Sequence, residues 1–140
     1  MSDQNPAQLA TALVSAFNNN DWDTYRQNLT ADSVYDEVPT ARTLEGVEAV
    51  VEALKGWKEA FPDIKGTVGN AMSTGNTAVL EVSWTGTHTA PMQGPTGTIA
   101  ATGKQQTTRS AWVLDFDGGK LKQSRQYFDM LSLMQQLGQS

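Results

Sequence analysis

The sequence predicts an α+β domain in which helices cover one face of a curved sheet. Three observations carry that expectation. Apolar residues recur at helical spacing through roughly the first sixty positions; they alternate in strand fashion from there to about Phe128; and helical spacing returns over the last ten residues. Helices segregated from a run of antiparallel strands mark α+β rather than an alternating α/β layout. The 140 residues fit one domain, 1–140, large enough to bury a core and a cavity within it.

The first element opens on Asn5, Pro6 and Gln8: a side-chain cap, a proline at N1 and a reciprocal acceptor at N3. Leu9, Leu13 and Phe17 then share a face, with Ala10 and Val14 beside them, until "NNND" stops the helix. Asp21 caps a second, short helix with Trp22, Tyr25 and Leu29 at helical spacing. "SVYDEV" alternates as a strand, Val34, Asp36 and Val38 opposing Tyr35 and Glu37, and Pro39 ends it. That alternation with valine favours Asp36 as the inward carboxylate, the other reading being a solvated strand end. From about Gly46 a third helix shows Val47, Val50, Val51, Leu54, Trp57 and Phe61 as one stripe, closed by Pro62.

Beyond "FPD" the texture becomes Thr, Val, Gly and aromatic residues broken by "STGN", "QGPTG" and "DGG". In "AVLEVSWTGTHT" one face carries Leu80, Val82, Trp84, Gly86 and His88. In "TTRSAWVLDF" Ser110, Trp112, Leu114 and Phe116 oppose Arg109, Ala111, Val113 and Asp115. "DGGK" turns the chain into "LKQSRQYFD" as a hairpin. The stretch from about Ala90 to Lys104 is the longest expected loop. Met130, Leu133, Met134 and Leu137 form the closing helix, with Gly138 as its terminal glycine.

Composition excludes several functions. With 39% hydrophobic and 18% charged residues the chain is an ordinary globular protein rather than a disordered one. No cysteine means no disulfide, thiolate nucleophile or Cys-based metal site, and a single histidine removes most histidine-ligated metals. A net charge of −5 argues against nucleic acid and anionic membranes as partners. "MSDQNPAQLA" lacks the basic start and apolar core of a signal peptide, so a soluble cytoplasmic protein is expected.

No phosphate-binding glycine loop, nucleophile elbow or paired metal-ligand histidines occur. What remains is a set of polar residues embedded in apolar strands. His88 sits on an apolar face, either as a neutral, hydrogen-bonded core residue or as a donor to an oxyanion. Asp129 stands immediately before a helical pattern, which makes it an N-cap, while burial beside Tyr127 and Phe128 would suit it to proton transfer. Arg125, Tyr127 and Asp129 share one strand parity and Ser124, Gln126 and Phe128 the other, and only one set can face the helices.

"FPDIKGTV", "VSWTGTHTAPMQGPTG", "VLDFDGGKL" and "YFDMLSLMQQLG" resemble the SnoaL-like polyketide cyclases of the nuclear-transport-factor-2-like superfamily, over nearly the whole chain. The resemblance implies a cone-shaped roll: a curved antiparallel sheet enclosing a pocket that helices close at one end, and often a homodimer through the open sheet face. It implies an intramolecular aldol ring closure with no metal and no cofactor, an aspartate near the last strand serving as acid/base. Asp129 matches that aspartate by position. Where many relatives carry a His-Trp pair on the last strand this chain has Ser124 and Arg125, and where they carry His-Asp on the first strand it has Asp36 and Glu37. "RQYFD" is also similar to the last strand of limonene-epoxide-hydrolase-like proteins, whose site uses aspartates with an arginine.

Two functional expectations follow. One is a metal-free enzyme acting on a hydrophobic carbonyl compound, with Asp129, His88 and Asp36 catalytic and Tyr35, Trp57, Trp84, Trp112, Arg125 and Gln126 around the substrate; an epoxide-hydrolase-like reaction is a variant of it. The other is a non-catalytic small-molecule-binding or dimerising module, since one fold hosts many functions.

Overall fold

A computed structural model describes residues 5–94 and 97–139. Helix α1, Pro6–Asn18, opens on the expected capping box: the Asn5 side chain accepts from the Gln8 N–H and the Gln8 side chain accepts from the Asn5 N–H. Helix α2, Trp22–Gln27, is capped by Asp21. Leu29, expected to continue its stripe, instead begins strand β1, Leu29–Glu37. After a 3-10 turn at Val38–Thr40 comes a short strand β2, Arg42–Glu45, then helix α3, Val47–Ala60. Strands β3, Lys65–Thr74, and β4, Thr77–Thr87, follow as a hairpin.

The stretch expected as the long loop contains two short paired strands, β5, Met92–Gly94, and β6, Gly97–Ile99. Pro95 and Thr96 of the expected "QGPTG" break lie outside the described residues. Strands β7, Gln105–Asp117, and β8, Lys120–Phe128, form the "DGGK" hairpin, and helix α4, Met130–Gln136, closes the chain, followed by Gly138 with φ +81°.

Among the described residues the main sheet has six strands in the order β2-β1-β8-β7-β4-β3. It is mixed rather than wholly antiparallel, because β1 and β8 run parallel. That joint brings the first and last strands together across the whole meander, a pairing no local pattern announces. Register shifts in β1/β8 between Leu29 and Val34, in β3/β4 between Val68 and Asn70, and in β7/β8 between Asp115 and Phe116 bend the sheet. β2 went unforeseen because its four residues are mostly exposed and show no alternation.

The face of β1 is the reverse of the one expected. Ser33, Tyr35 and Glu37 point inward and are buried, Val38 is exposed, and Asp36 turns to the other face. Tyr35 decides this: its ring buries far more apolar area than either valine. Glu37 then follows it inward at i+2 and is tolerated there because side-chain donors surround it.

The core lies between the inner sheet face and α1, α2, α3 and α4, around Leu13, Phe17, Val51, Phe61, Leu80 and Leu114. Asn18, at the end of α1, clamps the helix to β3: its Nδ2 donates to the Gly66 carbonyl (2.9 Å) and its Oδ1 accepts from the Gly66 N–H (2.8 Å). The Trp84 indole rests on Gly66 so closely that a Cβ there would stand 2.5 Å from a ring carbon.

Candidate active site

Between the helices and the inner sheet face lies a cavity of about 60 Å³. Its helical wall is apolar and aromatic, including Phe17 of α1, Leu54 and Trp57 of α3 and Leu133 of α4. Its sheet wall carries the polar groups: Tyr35 of β1, Gln106 and Thr108 of β7, and Gln126 of β8, beside Trp84 and Trp112. The void is well below the ~300–1,000 Å³ of pockets that hold drug-sized molecules.

Strand parity builds the polar side. Gln106, Thr108, Ser110 and Trp112 alternate inward along β7, and Ser124, Gln126 and Phe128 do so along β8. Trp112 and Gln126 stand directly opposite each other across the β7/β8 pair, and Trp84 opposes Thr108 across β4/β7.

A hydrogen-bonded chain runs from this wall to the surface. The Trp84 indole N–H is shared by Ser110 Oγ (2.9 Å) and Gln126 Oε1 (3.0 Å). Gln126 Nε2 donates to the Tyr35 hydroxyl (3.0 Å), which donates to Glu37 Oε2 (3.0 Å). Glu37 is fully buried and also accepts from Trp57 Nε1 (2.9 Å), Thr40 Oγ1 (2.7 Å) and Arg42 Nε (2.8 Å). The Arg42 side chain is 44% exposed, so the chain ends at solvent. Ala41, at φ +57°, makes the tight reversal that brings Arg42 back over Glu37. Burial, then the neighbouring Glu37 charge and its hydrogen bond, push the Tyr35 phenol well above its ordinary pKa, against a smaller opposite effect of Gln126. Tyr35 therefore remains a neutral donor across the physiological range.

The residues singled out from sequence divide in two. Tyr35, Trp57, Trp84, Trp112 and Gln126 all border the cavity. Arg125 does not: it lies on the outer sheet face, with Nη1 3.2 Å from Asp115 Oδ2. Of the two parities left open on β8, the hydroxyl and amide set faces inward. An arginine with aspartates inside the last strand, as an epoxide-hydrolase-like site needs, is accordingly not assembled.

The three acid/base candidates lie away from the cavity. Asp129 is exposed and caps α4, its Oδ1 accepting from the Ser132 N–H at 3.0 Å. It lines a polar depression of about 350 Å³ with Ser83, Thr107, Thr108, Arg109 and Ser132. The outward parity of Arg125, Tyr127 and Asp129 is the physical reason. Asp36 sits on the outer face of β1. His88 is fully buried beside Phe61, ring centroids 5.3 Å apart, and its Nδ1 accepts from the Thr102 N–H at 3.2 Å. Burial lowers its pKa, the Ala90 backbone opposing, so the ring is neutral, and its Nε2 is buried with no hydrogen-bond partner among the described residues.

Gln106 and Thr108 were not foreseen, and Glu37 was weighed with Asp36 but expected on the opposite face. Glu37 was legible once Tyr35 was read as inward, since the two share parity. Gln106 and Thr108 continue the Ser110 and Trp112 alternation toward the start of β7. Among the described residues no three His, Asp or Glu side chains gather as a metal site, and no helix is long and apolar enough to cross a membrane.

A curled six-stranded sheet with helices over a cavity on its concave side defines the class of α+β proteins typified by nuclear transport factor 2 and ketosteroid isomerase. Solved structures of that shape overlay closely. IdmH from Streptomyces antibioticus, assigned as a polyketide cyclase, gives a TM-score of 0.83 at 20% identity, covering 96% of this chain and 99% of that one. AclR from Streptomyces galilaeus, assigned as a hydroxylase, gives 0.78 at 23%, covering 93% and 92%. A protein of Catenulispora acidiphila with the ketosteroid-isomerase-like fold gives 0.81 at 16%, covering 98% and 96%. At these identities the likeness is one of fold. No curated protein matches the sequence. The profile of the SnoaL-like polyketide cyclase family matches residues 7–137, and the chain belongs to that family.

Proposed function

We propose that the cavity takes a hydrophobic small molecule bearing carbonyl groups and promotes acid/base chemistry on it, ring closure or a related isomerisation, through its own side chains. The observation that carries the reading is the buried relay Gln126–Tyr35–Glu37, which joins a cavity with no charged side chain on its wall to a carboxylate held by Arg42. In this scheme a C–H proton flanked by carbonyls passes to the Tyr35 oxygen as the phenol's own proton moves to Glu37. The C–H electron pair shifts onto the carbonyl oxygen, held by the second Gln126 amide hydrogen. The enolate carbon attacks a second carbonyl carbon of the same molecule. A C–C bond forms, the new alkoxide takes its proton from Tyr35, and Glu37 returns one to Tyr35. Holding both carbonyls in one dry cavity supplies the orientation.

The test is hydrogen–deuterium exchange by NMR on an aryl β-keto ester in D₂O, at the carbon between its carbonyls. The wild-type chain accelerates exchange, Tyr35→Phe and Glu37→Gln abolish the acceleration, and Asp129→Asn retains it. Loss of exchange in Asp129→Asn alone would return the role of base to Asp129 and overturn the relay.

A second reading, a binding module without chemistry, is favoured by one observation: every oxygen of Glu37 is already occupied by donors in the resting chain. Binding of the ester without any exchange would select it. The outer sheet face, with Tyr127 44% exposed, is read as the surface for a second copy, and a monomeric mass in sedimentation would remove that assignment.

A further inference from the structure

Three tryptophans border the cavity, and their indole N–H groups are not equivalent. Trp57 donates to Glu37, and Trp84 is shared between Ser110 and Gln126. Trp112 is 3% exposed, and its Nε1 has no acceptor among the described residues. Its neighbours explain why. Across one strand it faces Leu80, which has no polar atom; across the other it faces Gln126, whose oxygen serves Trp84 and whose amide serves Tyr35. Buried donors in folded proteins nearly always have a partner, and leaving one unmade is costly.

We propose that Trp112 is a specificity-determining residue of the cavity, its indole N–H being the donor for a neutral acceptor oxygen, carbonyl or ether, on a ring-bearing ligand. The proposal rests on the reading that this cavity takes a small molecule, and it adds which wall the acceptor meets. The polar groups of the sheet wall are all uncharged, and the helical wall is aromatic and aliphatic apart from the Tyr25 hydroxyl. A flat apolar ring thus packs against Trp57 and Leu54 while its oxygen reaches the sheet. A molecule of the same shape without that oxygen would leave the indole N–H unpaired, and sites that hydrogen-bond a ligand reject the analogue lacking the group for that reason.

Acetophenone and ethylbenzene match in shape and differ by the carbonyl oxygen, and one ring suits a small cavity. Titrating each into the full chain while following the ¹H–¹⁵N indole signals tests the proposal. Acetophenone is expected to move the Trp112 indole signal downfield and to bind about tenfold more tightly than ethylbenzene. Trp112→Phe, which keeps an aromatic ring, should remove that preference, the ratio of the two affinities falling to about one whatever each affinity becomes. Equal affinity of the two probes, an unmoved Trp112 signal on acetophenone binding, a contact from that N–H to an ordered water in the bound state, or no binding of either probe would overturn it. Should Trp112→Phe fail to fold, the wild-type indole signal and the affinity ratio still decide. A preference for acetophenone in a chain that shows no deuterium exchange would leave this assignment standing and remove only the catalytic one.

Discussion

At the residue scale the most consequential group is Glu37, a fully buried carboxylate whose partner cation is nearly half exposed. Removing the cation strands the charge in the core, so Arg42→Ala is expected to cost about 3 kcal/mol, large for a surface position and at the low end of the range for broken buried pairs because the guanidinium is partly solvated. Adding Glu37→Gln to that variant should recover part of the loss. Urea denaturation of the two single variants and the double variant measures the coupling; additive effects would mean that the pair is not energetically joined. Asp36 and Glu37 also show how far single residues can be read from sequence. Alternation put them on opposite faces, as they are, but the choice of face rested on the flanking valines, and the larger Tyr35 ring decided it the other way.

At the scale of elements, the passage from β8 into α4 contains Asp129. Capping accounts for its position: Asp129→Ala should destabilise by about 1 kcal/mol and Asp129→Asn by much less, since Asn also caps well. Equal losses in thermal melts would count against a capping role. The β3/β4 hairpin makes a second test. Gly66→Ala forces the Trp84 indole or the strand to shift, and overpacking of this kind typically costs about 1–3 kcal/mol. A red-shifted tryptophan emission spectrum should accompany the loss, as Trp84 leaves Ser110 and Gln126. The helices, their caps and the β7/β8 hairpin were legible because each is specified by neighbours within a few residues. β2 and the β5/β6 pair were not, being too short to show a period.

At the scale of the whole molecule, two sets of buried groups bound the pH range of stability. His88 is held below its unfolded pKa of about 6.5, so the folded chain prefers it neutral. Its contribution is present above that value and is lost as pH falls through it. Tyr35 and Tyr25 are held above about 10 by burial, so their contribution is present below that value and is lost as pH rises through it. Stability measured by urea midpoint should therefore be flat between roughly pH 7 and 9 and fall on both sides. His88→Gln should be less stable at neutral pH and lose less between pH 7 and 5 than the wild type. An unchanged acid slope would remove His88 as its source.

The sequence by itself determined the fold class and the order of the helices and major strands. Those follow from periodicity, capping and parity, which are local. Only the tertiary structure decided the parallel β1/β8 joint, the inward face of β1, and the separation of the aromatic cavity from Asp129, His88 and Asp36. Each depends on which of two nearly equal local arrangements buries more apolar surface and pairs more polar groups, a comparison made only when distant parts of the chain meet.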